Sequence, residues 1–364
     1  MKIFMLGDGG SSHIQKWVSG LAAHNIEVGL FSLHHFDETL YKGLKGFSSL
    51  NNPDSRKASS LISKISYLKN TGVIKKKLAN FKPDILHAHY ATSYGLLAAK
   101  TKFHPLVISV WGSDVYDFPQ SSVLHKKLLK SVLSKADVIC STSHCMKEET
   151  LKYVSKKTEV VPFGVDTGLF TPANNDFSHK KEITIGIIKS LEKKYGIEFL
   201  IKAFHETLKI NPDKKLKLLI VGDGSKKSEY QKLCSTLGIS DKVIFTGRVN
   251  HNETVNYHRQ IDIFVSLSVL DSESFGVSLA EAMSCGKPVV ASDVDGFKEV
   301  LGGENCGILV PKNTFKEAAL AINRYLQNPE KAVETGNNAR KRVLENYDWK
   351  KNLGQMVAIY KNLL

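Results

Sequence analysis

Short runs of hydrophobic residues alternate with longer amphipathic segments along the whole chain. In the first half the runs are KIFMLG, EVGLFSL, DILHAH, LVISVWG and ADVICST, and in the second half ITIGII, KLLIVG, KVIFTG, DIFVSLS, KPVVAS and GILVP. Runs of this length are typical of buried strands, and the segments between them are typical of crossover helices. Strands joined by helices form parallel sheets, so the two series predict two doubly wound α/β domains.

A polar segment rich in turn-forming residues, ANNDFSHKK from Ala173 to Lys181, separates the two series. We therefore predict an N-terminal domain over residues 1–172 and a C-terminal domain over residues 173–345. Residues 346–364 offer a helix for crossing back onto the first domain. In this fold class two Rossmann-like domains face each other across a cleft, and ligands bind at the C-terminal ends of the strands.

The composition argues against a protein that spans a membrane by a hydrophobic helix. The 364 residues contain no apolar run of the roughly 18 residues that such a helix requires. The first residues, MKIFMLGDGG, lack the features of a signal peptide. Five cysteines without a C-x-x-C pair fit reduced thiols better than disulfides or a zinc site. We expect a cytoplasmic protein.

The net charge of +14 is unevenly distributed. Between Ser55 and Pro83, on two predicted helices (SSLISKISYLKN and TGVIKKKLANF), there is no acidic residue. The basic residues there are Arg56, Lys57, Lys64, Lys69, Lys75, Lys76, Lys77 and Lys82. Interleaved apolar residues predict a surface that docks on anionic lipid headgroups, at the inner face of the plasma membrane. A solvated lysine-rich face is the alternative, and a nucleic acid partner is disfavoured because stacking aromatic residues are not interleaved.

The loop GDGGSS after the first strand resembles half of a dinucleotide-binding fingerprint. The pattern G-x-G-x-x-G fails because Ser12 stands at its third glycine, and no acidic residue ends the second strand. This disfavours a nicotinamide-dependent dehydrogenase. Gly9 and Gly10 still predict backbone N–H groups that approach an anion at the start of a helix, although a tight turn explains them too.

The second half contains three loops at strand ends with residues suited to a nucleotide. Lys189 and Lys194 follow ITIGII, where two ammonium groups neutralise a diphosphate leaving group. Two glycines leave bare backbone for a planar base: Gly222 in IVGDG and Gly247 in TGRV. Arg248 follows Gly247 directly. Each of these loops is also compatible with an ordinary turn.

The stretch ESFGVSLAEAMSCG holds two carboxylates eight positions apart. The pattern predicts Glu273 in a loop and Glu281 on the helix that follows and stops at Gly286. A carboxylate on the helix accepts both hydroxyls of a ribose, and one in the loop accepts a sugar hydroxyl beside the phosphate. The alternative is a helix-start acid and a surface charge.

Histidines at the end of the strand DILHAH are further candidates. His87 and His89 alternate along the strand, so one faces the ligand and the other packs, and we favour His89 as the functional one. A structural role for either histidine is the alternative. Asp114 in WGSD orients an acceptor hydroxyl or caps a helix.

The stretch ESFGVSLAE, followed by AMSCGKPVVASDVDG, resembles the retaining glycosyltransferases of family 4, which have the GT-B fold. PDILHAH, VWGSD, VVPFGVD, LLIVGDG and VIFTG occur in the family's order, so the resemblance covers nearly the whole chain and is most specific from Phe264 to Gly296. It implies a C-terminal domain that binds a UDP- or GDP-sugar and an N-terminal domain that binds a glycan acceptor. It also implies retention of the anomeric configuration and no metal or other cofactor.

The resemblance assigns roles to individual residues. Glu281 binds the ribose, Glu273 with Phe275 and Gly276 binds the donor sugar, and Lys189 with Lys194 binds the diphosphate. The full donor-binding set is Gly9, Gly10, Lys189, Lys194, Gly222, Gly247, Arg248, Glu273, Ser274, Phe275, Gly276, Val277 and Glu281. The catalytic candidates are Glu273, His89, Lys189 and Lys194, and the acceptor-binding candidates are His13, His89, Trp111 and Asp114.

The chain departs from the family pattern at three places. Where the family often has E-G-F-G, this chain has Ser274 at the position of the first glycine. In the diphosphate loop, Lys189 and Lys194 replace the usual Arg and Lys. Trp111-Gly112 replaces a His-Gly pair, so the usual donor-sugar histidine is missing. Its role then falls to His13, His87 or His89.

These observations predict transfer of a hexose or N-acetylhexosamine to a hydroxyl of a lipid-linked glycan in cell-surface polysaccharide or glycolipid synthesis. Two alternatives stay open at this point. A non-hydrolysing nucleotide-sugar epimerase would isomerise the donor without an acceptor. A non-catalytic partner subunit would bind the donor without hydrolysis or transfer.

Overall fold

The computed structural model describes residues 1–51, 69–173, 177 and 179–364. Contacts divide the chain into two compact units: residues 1–162 together with 351–364, and residues 163–350. The first boundary lies ten residues before the predicted position at 172, because the segment Phe163–Phe170 packs with the second unit. The last fourteen residues belong to the first unit.

The first unit is built on one sheet of seven parallel strands, in the order β3-β2-β1-β4-β5-β6-β7. The strands are β1 (Lys2–Leu6), β2 (Glu27–Phe31), β3 (Phe47–Ser49), β4 (Ile85–His89), β5 (Leu106–Ser109), β6 (Val138–Ser141) and β7 (Thr158–Val160). The order reverses between β1 and β4, which makes their C-terminal ends the topological switch point of this sheet.

Within the described residues, five helices connect these strands. They are α1 (Ser12–Ala23), α2 (Asn70–Phe81), α3 (Leu96–Thr101), α4 (Val123–Leu133) and α5 (His144–Leu151), and a π-helical turn, Ala91–Gly95, leads into α3. Apolar residues of α2 to α5 pack with those of the central strands in one hydrophobic core. The buried sides of these four helices therefore share a core, and their opposite sides face solvent.

The second unit is built on six parallel strands, in the order β10-β9-β8-β11-β12-β13. The strands are β8 (Ile183–Ile188), β9 (Leu216–Val221), β10 (Val243–Gly247), β11 (Ile263–Ser266), β12 (Val289–Ser292) and β13 (Ile308–Val310). The helices are α6 (Ile197–Ile210), α7 (Lys227–Thr236), α8 (Thr254–Gln260), α9 (Val277–Ser284), α10 (Asp295–Leu301), α11 (Phe315–Gln327) and α12 (Pro329–Asn346). The switch point lies between β8 and β11.

A last helix, α13 (Trp349–Lys361), carries the chain from the second unit to the first. The phenolic oxygen of Tyr360 lies 2.5 Å from Nδ1 of His87 on β4, and Asn352 donates to the carbonyl oxygen of Pro162 at 3.2 Å. Both contacts are buried, so the end of α13 forms part of the core of the first unit.

The structure confirms the two parallel α/β sheets and all eleven predicted strands. It adds two strands of three residues each, β3 and β7, at the edges of the first sheet. Of the two predicted basic helices, TGVIKKKLANF corresponds to α2, whereas SSLISKISYLKN lies almost wholly outside the described residues, as do Arg56, Lys57 and Lys64. In the described part of the chain, no helix is both long and apolar enough to cross a membrane.

Candidate active site

The switch point of the second sheet brings together Lys189 and Glu273. Lys189 follows β8 and Glu273 lies in the loop after β11, and their side chains form an ion pair with Nζ and Oε2 2.7 Å apart. Burial lowers the pKa of Lys189, but the charge of Glu273 and its hydrogen bond more than offset this effect, so the pKa lies above its ordinary value. The lysine therefore carries its positive charge at the end of a central strand.

Two glycines shape the loop that carries Glu273. Gly276 has φ +77°, and a Cβ there would lie 2.4 Å from the ring of Phe297. Gly296, on α10, packs so closely on the loop that a Cβ would lie 2.2 Å from the carbonyl oxygen of Glu273. Neither position accepts a larger residue without displacement of this loop. The loop between the two glutamates is thus held in place by backbone contacts.

Glu281 lies on α9 as predicted, but its surroundings were not predicted. The side chain is buried, with 4% of the residue exposed, and both carboxylate oxygens contact histidines. Nε2 of His251 lies 2.7 Å from Oε1, and Nε2 of His258 on α8 lies 3.4 Å from Oε2. Each carboxylate oxygen has a further lone pair, so two acceptor positions remain for the hydroxyls of a ligand.

The two histidines keep Glu281 ionised. Burial raises the pKa of Glu281, but hydrogen bonds from His251 and His258 reverse the effect and bring the pKa to about 2. Burial lowers the pKa of His258 and outweighs the attraction of Glu281. His258 is therefore neutral, with Nε2 donating to Glu281, and its ring packs between Phe170 and Phe264.

Tyr195 connects the two lysines of the predicted diphosphate loop. The Nζ atoms of Lys189 and Lys194 lie 4.4 Å and 5.0 Å from the centre of its ring. These are cation–π distances, and they place two positive charges around one aromatic ring. The structure thus brings together the two lysines that the sequence assigned to the diphosphate.

The glycine loops also lie at this edge of the second sheet. The N–H of Gly222, after β9, donates to the carbonyl oxygen of Gly247, at the end of β10, at 3.0 Å. Arg248 is exposed and Val277 is half-buried at the start of α9. Ser274 and Phe275 are buried, and the ring of Phe275 contacts Phe163 and Tyr347, so only backbone groups of Phe275 are available to a ligand.

Gly9 and Gly10 differ from the expectation that their N–H groups face an anion. The N–H of Gly9 donates to Oγ of Ser32 at 3.3 Å, and that of Gly10 donates to Oδ1 of Asp8 at 3.1 Å. The hydroxyl of Tyr41 donates to the carbonyl oxygen of Gly9 at 2.7 Å. Both glycines therefore form an internally bonded turn, which is the alternative that the sequence left open.

His87 and His89 have contrasting environments at the end of β4. His87 is fully buried and its ring nitrogens contact Tyr360 and Ser109 at 2.5 Å and 2.8 Å, which is a structural role. His89 is 1% exposed, and neither ring nitrogen has a hydrogen-bond partner among the described residues. Burial, together with His87 and His13, lowers the pKa of His89 well below its ordinary value. His89 is thus a neutral imidazole with unused hydrogen-bonding capacity.

Aromatic rings surround His89. Trp111 contacts it edge-on with ring centres 5.5 Å apart, and His13 on α1 contacts Trp111 at 5.7 Å. Asp114 is different: it is fully buried and accepts backbone N–H groups of Ala91, Trp111 and Gly112 at 2.9 to 3.0 Å. These bonds favour a role for Asp114 in shaping the loop over the predicted role in orienting an acceptor.

His251, His258 and Tyr195 were not among the predicted site residues. The only signal was spacing: His251 and His258 lie seven positions apart, which is two turns of a helix and one face. Nothing in the sequence relates that face to Glu281, more than 20 positions away. Among the described residues, no group of three His, Cys, Asp or Glu side chains is arranged to hold a metal ion.

Two parallel-sheet Rossmann-like domains with acidic and basic residues at the switch point define the class of GT-B glycosyltransferases. Residues 173–342 match the family model described as glycosyl transferases group 1, and residues 2–143 match the model described as glycosyl transferase 4-like. An uncharacterized glycosyltransferase of Methanocaldococcus jannaschii is 35% identical over 303 residues, which is 77% of this chain and 75% of that protein. The chain belongs to family 4 of the glycosyltransferases.

Solved structures agree on the fold over the full length of the chain. Sucrose-phosphate synthase from Thermosynechococcus elongatus has a TM-score of 0.84 at 21% identity, covering 100% of this chain and 99% of that one. The Anabaena protein HepE in complex with UDP and glucose has a TM-score of 0.81 at 18% identity and covers 100% of both chains. At these identities the likeness shows the GT-B fold.

Proposed function

We propose that the protein is a retaining glycosyltransferase that moves a hexose or N-acetylhexosamine from a UDP- or GDP-sugar to a hydroxyl of a lipid-linked glycan. The observation that carries the proposal is Glu281: a buried carboxylate, kept ionised by two histidines, on the helix that follows the Lys189–Glu273 ion pair. A buried ionised group with unused acceptor positions is typical of a binding site for hydroxyl groups. The Anabaena relative with bound UDP and glucose supports a nucleotide-sugar donor.

In the proposed reaction the second unit binds the donor. Glu281 accepts hydrogen bonds from the ribose hydroxyls, and Lys189 with Lys194 neutralises the diphosphate. Glu273 accepts a hydrogen bond from a hydroxyl of the donor sugar and holds Lys189 in position through the ion pair. Stabilisation of the leaving diphosphate by these two ammonium groups then supplies a large part of the rate.

In the chemical step, the acceptor oxygen bonds to the anomeric carbon on the face from which the diphosphate departs. The bond between the anomeric carbon and the diphosphate oxygen breaks, and that oxygen takes the acceptor's proton. No metal or other cofactor takes part in the proposed step. Fixed geometry and charge account for the acceleration.

The first unit is proposed to bind the acceptor through the group formed by His89, Trp111 and His13. The unpaired ring nitrogens of His89 suit a sugar hydroxyl, and the Trp111 ring suits the apolar face of a sugar. The basic segment from Arg56 to Lys82 supports association with an anionic membrane surface, where a lipid-linked acceptor resides. The protein would then act at the inner face of the plasma membrane, in polysaccharide or glycolipid synthesis.

A thermal-shift panel of UDP, GDP, ADP, NAD and their sugar conjugates, without and with magnesium, tests the donor site. We expect metal-independent stabilisation by one nucleoside diphosphate that is lost in Glu281→Ala and kept in Lys193→Ala, which changes an exposed lysine of the same loop. Stabilisation by NAD alone, or by no nucleotide, contradicts the proposed ligand. Radiolabelled sugar transfer to lipid extracts then separates a transferase from an epimerase or a partner subunit.

A further inference from the structure

Helix α4 exposes hydrophobic side chains on its first two turns. Val123 and Leu124 are 69% and 76% exposed, and Leu128, one turn further along, is 37% exposed. Other residues of the same helix, Leu129, Val132 and Leu133, are buried in the core. The helix therefore has a second apolar stripe that nothing in the described structure covers.

The exposed stripe belongs to a well-formed helix. Oγ of Ser122 accepts the backbone N–H of His125 and lies 2.7 Å from its Nδ1, which caps the N-terminus. The ring of His125 packs edge-on against Phe118, with ring centres 4.7 Å apart. Val123 and Leu124 are thus presented on a fixed first turn.

Basic residues surround the exposed stripe. Lys126, Lys127 and Lys130 of α4 are all exposed, and the chain has no acidic residue between Asp117 and Asp137. From residue 69 to residue 136 the sequence contains eleven lysines and three aspartates, one of which, Asp114, is buried. The solvent face of α4 therefore presents apolar side chains together with three lysines and no acidic residue of its own.

The basic surface of α2 continues to α4. Helix α2 contacts α3, and the π-helical turn before α3 contacts α4, so the three helices lie side by side over one core. Exposed lysines lie on α2 or next to its ends, and two more lie at the end of α3: Lys69, Lys75, Lys76, Lys82, Lys100 and Lys102. The helices form one surface with the apolar stripe of α4 as its only large apolar feature among the described residues.

We propose that this surface docks on an anionic lipid bilayer, with Val123, Leu124 and Leu128 inserted among the acyl chains and the lysines bound to headgroup phosphates. A bilayer suits this pattern better than a protein partner, because the apolar residues are flanked by lysines on their own helix, as in segments that insert between anionic headgroups. A nucleic acid is disfavoured because the exposed residues are aliphatic. The proposal gives the membrane association proposed above a location and does not depend on the identity of the donor.

Sedimentation with sucrose-loaded vesicles of phosphatidylcholine and phosphatidylglycerol tests the surface. We expect the full chain to bind vesicles containing about 30% phosphatidylglycerol. Its binding to pure phosphatidylcholine should be weaker by a factor of about ten or more. Leu124→Gln should weaken binding by roughly tenfold, and so should the triple change Lys126→Gln, Lys127→Gln and Lys130→Gln. Leu320→Gln is the matched control, because Leu320 is an exposed leucine, 46% accessible, on a helix of the second unit.

Several results would overturn the proposal. Unchanged binding of Leu124→Gln, or equal loss in Leu320→Gln, removes α4 from the docking surface. Absence of vesicle binding by the unaltered chain at low salt would show that the surface does not bind an anionic bilayer. A dimer that Leu124→Gln dissociates, measured by sedimentation velocity, makes the stripe an interface between copies of the chain. Nucleotide-induced thermal shifts of the same variants stay unchanged in all these cases, so failure of the docking surface is distinguishable from failure of the donor site.

Discussion

Nε2 of His251 lies 2.7 Å from Oε1 of Glu281, on the carboxylate that we propose to bind the ribose. His251 precedes α8 and Glu281 lies on α9, so this contact connects two elements of the donor site. Glu281 is buried, whereas 38% of the His251 side chain is exposed. The histidine therefore holds the carboxylate from the solvent side.

Loss of the His251 ring should weaken donor binding. In His251→Ala the carboxylate keeps only the longer contact with His258, and its orientation becomes less defined. A hydrogen bond to a charged group contributes about 1.5 to 3 kcal/mol, so we expect a rise in the donor Kd of roughly tenfold or more. Isothermal titration with the nucleoside diphosphate measures it. His251→Gln, which keeps a donor, should recover part of the affinity, and tighter binding in His251→Ala would mean that the histidine obstructs the ribose.

The ionisation of Glu281 should appear in the acid dependence of stability. Its pKa is about 2 in the folded chain and ordinarily 4.5, so between these values the unfolded chain binds more protons. The stabilisation is therefore complete above pH 4.5 and is lost as the pH falls toward 2. Urea unfolding of the protein and of Glu281→Gln from pH 6 to pH 3 should give a difference in free energy that shrinks as the pH falls. A difference that stays constant would show that Glu281 has an ordinary pKa.

The Lys189–Glu273 ion pair should contribute to catalysis more than to folding. Lys189→Met removes a charge from the proposed diphosphate site and should lower kcat by about a hundredfold, in the range found when one transition-state hydrogen-bond donor is removed. Lys193→Met, in the same loop but exposed, is the control. A double-mutant cycle with Glu273→Gln separates the contribution of the pair from that of each residue. Equal kcat in Lys189→Met and the unaltered enzyme would remove the lysine from the mechanism.

Gly296→Ala should disable the donor site without altering any charged side chain. The added Cβ would lie 2.2 Å from the carbonyl oxygen of Glu273, so the loop between the two glutamates has to move. We expect loss of the thermal shift with nucleotide in a chain that still folds. Gly72→Ala on α2 is the control, because a Cβ there meets nothing within 4 Å. Retained nucleotide binding in Gly296→Ala would show that this loop is not part of the donor site.

Substitution of the buried residue Lys287 should increase the free energy of unfolding. It is 1% exposed, burial lowers its pKa to about 8, and its Nζ donates to the carbonyl oxygen of Arg259 at 3.2 Å. Below pH 8 the folded chain carries a buried charge, and stability should rise with pH from 8 toward 10.5, where only the unfolded chain keeps the proton. Lys287→Met should therefore stabilise the protein at pH 7 by roughly 2 to 3 kcal/mol and flatten this rise. Urea unfolding at pH 7 and pH 9.5 measures both, and a loss of stability at pH 7 would show that the hydrogen bond outweighs the buried charge.

The fold was largely predictable because buried parallel strands are continuous hydrophobic runs. The two missed strands, Phe47–Ser49 and Thr158–Val160, have three residues each and lie at sheet edges, where pairing with one neighbour defines them more than hydrophobicity does. The first domain boundary was misplaced because the packing of Phe163 and Phe170 decides it, and the composition of the linker does not.

The candidate site was predictable where a residue lies at a strand end, as Lys189 does, or on a helix that a glycine terminates, as Glu281 does. Its internal contacts were not, since the His251–Glu281 contact and the Lys189–Glu273 pair join positions 30 and 84 residues apart. Gly9 and Gly10 show the same limit: their N–H groups are directed by Ser32 and Asp8, which the glycine pattern alone does not reveal.

The hydrogen bond between Tyr360 and His87 has a consequence for the order of biosynthesis. The second unit is one uninterrupted stretch of chain, residues 163–350, and can fold as soon as it has left the ribosome. The first unit, although most of it is translated earlier, lacks the Tyr360 contact of His87 until residues 351–364 emerge. The portion synthesised first is therefore completed last.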